Sequence, residues 1–127
     1  MKSLRQTYLI HASSERVWQA LTDPKEIEKW GAGPTKMDDN VGTNFSLWGG
    51  EIYGKNIEVV KHKKLVQEWY SGKWTAPSIV TFALMAKRDT TEVVLLHTNI
   101  PDSEYKDIEE GWKFYYLIPL KEYIEEK

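Results

Sequence analysis

Apolar and β-favouring residues gather early in the chain, where Tyr8, Leu9 and Ile10 close a stretch from Leu4 to Ile10 that predicts a strand. The period then changes to helical. Val17, Trp18 and Leu21 share one face, and Ser13 precedes them as an N-cap whose hydroxyl can accept an orphan backbone N–H. Glu15 sits in the first turn, where the helix dipole favours an anion. Asp23-Pro24 restarts a helix, with the acid as cap and proline at the first helical position. Ile27 and Trp30 form its apolar face, and Gly31-Ala32-Gly33-Pro34 ends it.

The middle of the chain reads as strand and turn. Phe45 and Leu47 alternate with polar neighbours, and Gly49-Gly50 is a hairpin signal. A longer strand is predicted from Glu51 to Val60, with Gly54 as a bend or bulge. Lys61 to Lys64 turns into a strand from Leu65 to Tyr70. The clearest strands are Ile79 to Ala86 and Glu92 to Thr98, joined at Arg88-Asp89. A two-residue loop there pairs Leu84 with Val93, Phe82 with Leu95 and Val80 with His97. All six side chains then share one face, because side chains alternate along a strand. The opposite face, with Thr81, Met85, Glu92, Val94 and Leu96, is more apolar than a plain solvent face.

From Ser103 to Glu126 the period is helical again. Tyr105, Ile108, Trp112, Tyr115, Tyr116, Pro119 and Tyr123 make one stripe, and charged residues cover the rest. Such a helix spans roughly 35 Å, and Pro119 should kink it. Strands followed by one long helix predict an α+β fold in which that helix covers the apolar face of an antiparallel sheet.

The chain has 127 residues, enough for one domain over 1–127 that folds without staples. Aromatic residues make up 13%, including six Trp and seven Tyr, which rules out disorder as the general state. There is no cysteine, so disulfides, thiol catalysis and thiolate metal sites are excluded. A net charge of -2 carries no nucleic-acid footprint. No apolar run approaches the ~20 residues of a membrane span. Residues Met1 to Gln6 lack the apolar core of a signal peptide, so the expected location is the cytoplasm.

Several motifs together resemble a known family. Ala12-Ser13-Ser14-Glu15-Arg16-Val17-Trp18, Thr22-Asp23-Pro24 and Trp30 resemble the opening of START-like helix-grip domains, related to the birch-pollen allergen. Gly50-Glu51-Ile52-Tyr53-Gly54, the Trp69 strand, His97-Thr98-Asn99-Ile100-Pro101 and Gly111-Trp112-Lys113-Phe114-Tyr115-Tyr116 are similar to homologues of the activator of the ninety-kilodalton heat-shock chaperone's ATPase. The resemblance is to that activator's C-terminal domain. It implies a curved antiparallel sheet wrapped around a kinked C-terminal helix, two short helices after the first strand, and a cavity between sheet and helix. The full co-chaperone also has an N-terminal chaperone-binding domain, for which this length leaves no room.

The candidate site residues face that cavity. In the register above His97 points at the helix, among Val80, Leu95 and Trp112. It is either a ligand anchor or proton carrier, or a buried imidazole satisfied by a backbone or Tyr partner. Trp69, Phe82, Trp112, Tyr115 and Tyr116 either line a cavity or fill the interior, and Trp30 is assigned to the same lining. Gln67 has the inward parity of Leu65 and Trp69. Asn56 faces inward as well, unless a bulge at Gly54 substitutes Ile57, and for both residues the alternative is a solvent-facing amide. Trp74, on a loop, is either an interface anchor or folded over the barrel mouth.

The pairs Asp38-Asp39, Glu109-Glu110 and Glu125-Glu126 point apart and read as solvated surface. His11, His62 and His97 fall in different elements, so no metal site is expected, and no cofactor is called for. The leading expectation is a non-catalytic binding domain holding a small apolar or amphipathic ligand. Two alternatives are a co-chaperone-like regulator that binds a partner protein, such as a chaperone, through the sheet surface, and a cyclase- or hydrolase-like enzyme using His97. The sequence offers no set of nucleophile, base and orienter, which ranks the enzyme last.

Overall fold

The computed structural model describes residues 1–72 and 74–126. Strand β1 (Lys2–Ile10) leads into helices α1 (Ser14–Thr22) and α2 (Pro24–Trp30). Strands β2 (Asn44–Leu47), β3 (Ile52–Val60), β4 (Lys64–Ser71), β5 (Ser78–Ala86) and β6 (Thr91–Ile100) follow. All six strands form one curved antiparallel sheet in the order β1-β6-β5-β4-β3-β2. The C-terminal helix then runs as a short 3₁₀ turn (Asp102–Glu104), α3 (Tyr105–Gly111), a π-helical stretch (Trp112–Leu117) and α4 (Ile118–Glu125). This is the helix-grip α+β fold that the motifs imply.

The helix starts match their caps. Ser13 Oγ accepts the Arg16 N–H at 3.1 Å. Asp23 accepts the Lys25 N–H at 2.9 Å, and Gly31, at φ 119°, ends α2 in the left-handed conformation open to glycine. Val17, Trp18 and Leu21 bury the inner face of α1, and Ile27 and Trp30 that of α2. An ion pair that pattern alone does not reveal ties these helices to the C-terminal one. Arg16 pairs with Glu26 at 2.5 Å, and the Tyr123 hydroxyl donates to the same Glu26 oxygen at 3.0 Å.

The β5–β6 hairpin has the expected register, with Leu84 opposite Val93, Phe82 opposite Leu95 and Val80 opposite His97. The Lys87 N–H donates to the Thr90 carbonyl at 2.9 Å, which closes the turn on Arg88-Asp89. All six inward side chains are buried, while Met85 and Leu96 on the outer face stay 53% and 41% exposed.

Gly54 is not the bulge. Strand β3 keeps regular pairing through it, opposite Phe45 on one side and Trp69 on the other, and the register shifts between Asn56 and Glu58. Asn56 is therefore inward and buried, and Ile57 is exposed. Gly54 answers a different demand. A β-carbon there would stand 1.7 Å from the Glu68 carbonyl oxygen, so only glycine lets β3 approach β4 at this point.

The helix departs from its expected course before Pro119. Residues Trp112–Leu117 are π-helical, and the Ile118 N–H reaches back to the Lys113 carbonyl. Pro119 then sits in the first turn of α4, where its missing N–H costs little. The wider turn also changes which ring faces the sheet. Trp112, Tyr116 and Leu117 are buried, whereas Tyr115, expected inward, is 68% exposed.

Candidate functional site

Two polar chains run through the interior below the C-terminal helix. The first begins at Trp112, whose indole N–H donates to His97 Nδ1 at 2.9 Å. Indole nitrogen only donates, so Nδ1 must be the acceptor and the imidazole proton lies on Nε2. Nε2 then donates to Ser78 Oγ at 2.7 Å, and Ser78 Oγ donates to the Trp69 carbonyl at 3.0 Å. Every group in this chain is satisfied only while His97 is neutral. Burial acts the same way and holds its pKa down at about 4. His97 is thus a buried, satisfied imidazole, with an indole and a serine as partners rather than a backbone group or tyrosine.

The second chain contains both amides. Trp69 Nε1 donates to Gln67 Oε1 at 2.8 Å, and Gln67 Nε2 donates to Asn56 Oδ1 at 2.8 Å. Asn56 Nδ2 donates to the Asp38 and Asn40 carbonyls at 2.9 and 3.1 Å. Gln67 and Asn56 are fully buried, and they pin the segment before β2 to the sheet. Trp69 therefore takes part in both chains, through its carbonyl in one and its indole in the other.

Aromatic rings fill the space between the chains. Tyr116 packs on Trp112 at 4.6 Å, Trp30 at 4.8 Å and Phe82 at 5.7 Å between ring centroids. Trp69 stacks on Trp112 at 4.6 Å. The Trp30 indole is spent on the Ala20 carbonyl at 2.9 Å. Among the described residues one buried side-chain polar atom is left over: the Tyr116 hydroxyl, which has no hydrogen-bond partner among them. Burial pushes its pKa well above the usual tyrosine range, so it stays a neutral donor.

The open volume lies at the mouth of the grip, not deep under the helix. A cleft of about 550 Å³ is walled by Trp48, Ile52, Trp69, Ile108, Trp112 and Tyr116. Tyr115, Glu51, Ser71 and Asp107 also line it, with the backbone of Gly72 and Gly111. Its size suits a small-molecule site. Of the nine expected site residues, Trp69, Trp112, Tyr115 and Tyr116 line this cleft. Trp30, Asn56, Gln67, Phe82 and His97 stand behind it in the packed interior.

Sequence reasoning missed Trp48, Glu51, Ile52, Asp107 and Ile108. Trp48 carries a φ of 50°, beside the Gly49-Gly50 turn that marks the segment, and its indole donates to the Gly31 carbonyl at 3.0 Å. Ser78 was also missed, although its parity with Val80 and Phe82 points a hydroxyl inward at the strand's start. Trp74 folds back, its indole donating to Glu104 at the start of the C-terminal helix. Among the described residues no three His, Asp or Glu are grouped to hold a metal ion. Nor is any helix among them long and apolar enough to cross a membrane.

Residues 11–125 match the family model described as Activator of Hsp90 ATPase homolog 1-like protein. The chain belongs to this family. The human activator of 90 kDa heat shock protein ATPase homolog 1 is 24% identical over 122 residues, which cover 94% of this chain and 36% of that protein. The chain thus spans about a third of the length of that relative. The crystal structure of an HSP90 activator from Plasmodium falciparum superposes with a TM-score of 0.80 at 29% identity, covering 88% of each chain. CalU16 from Micromonospora echinospora is also similar, with a TM-score of 0.80, 28% identity, and coverage of 96% of this chain and 74% of the other. In this family member, then, the grip carries an aromatic cleft at its mouth and a filled interior behind it.

Proposed function

We propose that residues 1–127 act as a non-catalytic binding domain that takes a small amphipathic ligand into the cleft at the mouth of the grip. One observation carries this reading. A cleft of ligand size is walled by Trp48, Ile52, Ile108 and Tyr115, and behind it Tyr116 buries a hydroxyl that has no partner among the described residues. Buried polar groups are normally paired, and an orphan costs about 1–3 kcal/mol. A ligand that parts the rings enough for its carbonyl, ether or hydroxyl to accept from Tyr116 would remove that cost, while apolar area on Trp48, Ile52, Ile108 and Tyr115 would supply affinity. A screen of fatty acids, sterols, flavonoids and bile-acid-like compounds tests it. Binding should quench or shift tryptophan fluorescence and raise the melting temperature, because a ligand of the folded state alone stabilises it by mass action. Failure of every compound to do either would refute the reading.

A second reading follows from the family. The relatives named as activators of a 90 kDa heat shock protein ATPase make that chaperone the partner to test, and the exposed Met85 and Leu96 favour the outer sheet face as the contact. Replacing both by glutamate should weaken chaperone binding and leave the cleft's ligands unaffected. An enzyme using His97 has less support, since its ring is 0% exposed and both nitrogens are engaged. The cytoplasm remains the compartment we propose for either activity.

A further inference from the structure

We propose that the free edge of strand β1 docks an extended peptide segment, with an acidic residue opposite Arg5, as a further strand of the sheet. This site is separate from the cleft and does not depend on it. The pairing of β6 decides which main-chain groups are open. The Lys87 N–H bonds the Thr90 carbonyl across the β5–β6 turn, so Glu92, Val94 and Leu96 turn their main-chain groups to β5. Thr91, Val93, Leu95 and His97 turn theirs to β1, where they face Ile10, Tyr8, Gln6 and Leu4. Arg5, Thr7 and Leu9 therefore point their N–H and C=O groups away from the sheet. The Leu9 carbonyl accepts from Lys121 Nζ at 2.8 Å, and the next outward group, the His11 N–H, donates to Glu125 at 2.9 Å. The Leu9 N–H and both groups of Arg5 and Thr7 have no partner among the described residues. The opposite edge is closed by the chain itself. Lys36 and Ser46 of β2 exchange both main-chain bonds at 2.9 Å, and the Trp48 N–H donates to the Ala32 carbonyl at 2.9 Å.

The gap runs from Arg5 to Leu9, roughly 17 Å at about 3.4 Å per residue, and suits a segment of about five or six residues. A strand laid antiparallel along it answers every open main-chain group, which is how exposed sheet edges take up peptides. Charge selects the occupant. Arg5 is exposed and has no ion pair among the described residues. A carboxylate directly opposite it gains from cross-strand attraction. Thr7 and Leu9 share the outer face with Arg5, and Leu9 is 44% exposed, so β-branched residues suit the positions opposite them. A second copy of the chain is a poorer occupant. Paired antiparallel through Arg5 and Thr7, it brings the two Arg5 side chains to diagonal positions on one face, roughly 7–8 Å apart.

The probe is a blocked hexapeptide, Val-Thr-Val-Thr-Glu-Thr, whose first, third and fifth residues would lie opposite Leu9, Thr7 and Arg5. It is titrated into the intact chain, with backbone amide shifts in NMR as the readout. The largest shifts should fall on Arg5, Thr7 and Leu9. Lysine in place of the peptide's glutamate should weaken binding about threefold, and Arg5→Glu should reverse that preference. N-methylation of the third residue, whose N–H would face Thr7, should weaken binding by about tenfold or more. N-methylation of the fourth, whose N–H would face solvent, should leave it within about threefold of the parent. Thr7→Pro removes an N–H that faces away from β6, so the fold should hold while peptide binding is lost. Shifts confined to other residues, or equal weakening by the two methylations, overturn the edge as the site. A lysine peptide that binds as tightly as the glutamate one overturns the acidic occupant. Concentration-dependent shifts of the same amides without peptide, with dimers in sedimentation, give the edge to a second copy and overturn the peptide. No binding at millimolar peptide overturns the proposal outright.

Discussion

Trp112 and His97 define each other's state: the indole N–H donates to Nδ1 at 2.9 Å, so the histidine must keep that nitrogen bare. Protonating Nδ1 sets two donors against each other in a buried site. The folded-state pKa of about 4 lies below the ordinary 6.5, so the folded protein binds fewer protons than the unfolded chain in between. Stability from this group is therefore full above about pH 6.5 and is lost as pH falls toward 4, by about 3 kcal/mol in total. Urea melts between pH 7 and pH 4.5 should show this fall. His97→Gln keeps an acceptor and a donor in the site but does not titrate, and should flatten that part of the profile.

Trp112→Ala should destabilise the fold by roughly 3–5 kcal/mol, the range for deleting a large buried aromatic. It also leaves His97 Nδ1 unpaired, which favours the upper end. Glu110→Ala, on the exposed side of α3, should change stability by less than about 0.5 kcal/mol. Comparable shifts in the two urea midpoints would contradict the rotation of the helix described above.

Gln67→Leu removes the centre of the amide chain. The Trp69 indole N–H and Asn56 Oδ1 lose their partners together, in a site closed to solvent. The expected cost is on the order of 3 kcal/mol. Hydrogen exchange should also rise in the segment before β2, which Asn56 holds through the Asp38 and Asn40 carbonyls. A change in ligand preference at unaltered stability would argue instead for a direct contact with ligand.

Tyr116→Phe deletes the one buried side-chain polar atom that lacks a partner among the described residues. The ligand-free variant should be more stable than the parent, by about 1–3 kcal/mol, because an orphan hydroxyl is removed with little change of shape. Any ligand that accepts from this hydroxyl should bind the variant more weakly. Lower stability of the free variant would show that the hydroxyl is satisfied in solution.

Much of this was legible from residue order. Alternation on β5 and β6, with a two-residue turn between them, sets the register and turns His97 inward. Ser13, Asp23 and Gly31 mark helix ends through side-chain caps and a left-handed φ that follow from local chemistry. What escaped depends on contacts between distant segments. Gly54 looks like a bulge residue in isolation, and its true constraint, the Glu68 carbonyl, belongs to another strand. Tyr115 fits an ideal helical stripe, but the π-helical turn before Pro119 rotates it outward. The cleft draws Glu51 and Ile52 from one hairpin and Asp107 and Ile108 from the helix, and no spacing rule joins them.

The strand order has a consequence for how the molecule is made. Strand β1 pairs with β6 from Ile10 opposite Thr91 to Lys2 opposite Ile100, a separation of roughly 80–100 residues. Strand β1, made before the other strands of this sheet, must therefore wait for the last of them, β6, before it gains a neighbour. Contacts this far apart in sequence place the domain among slow folders, on a millisecond-to-second scale, because loop-closure entropy is lost before the pairing repays it. During that wait β1 is an unpaired strand exposing Leu4 and Ile10, the kind of edge that invites mispairing with other chains. A domain whose relatives are named for a heat-shock chaperone thus has a nascent state that would itself need shelter.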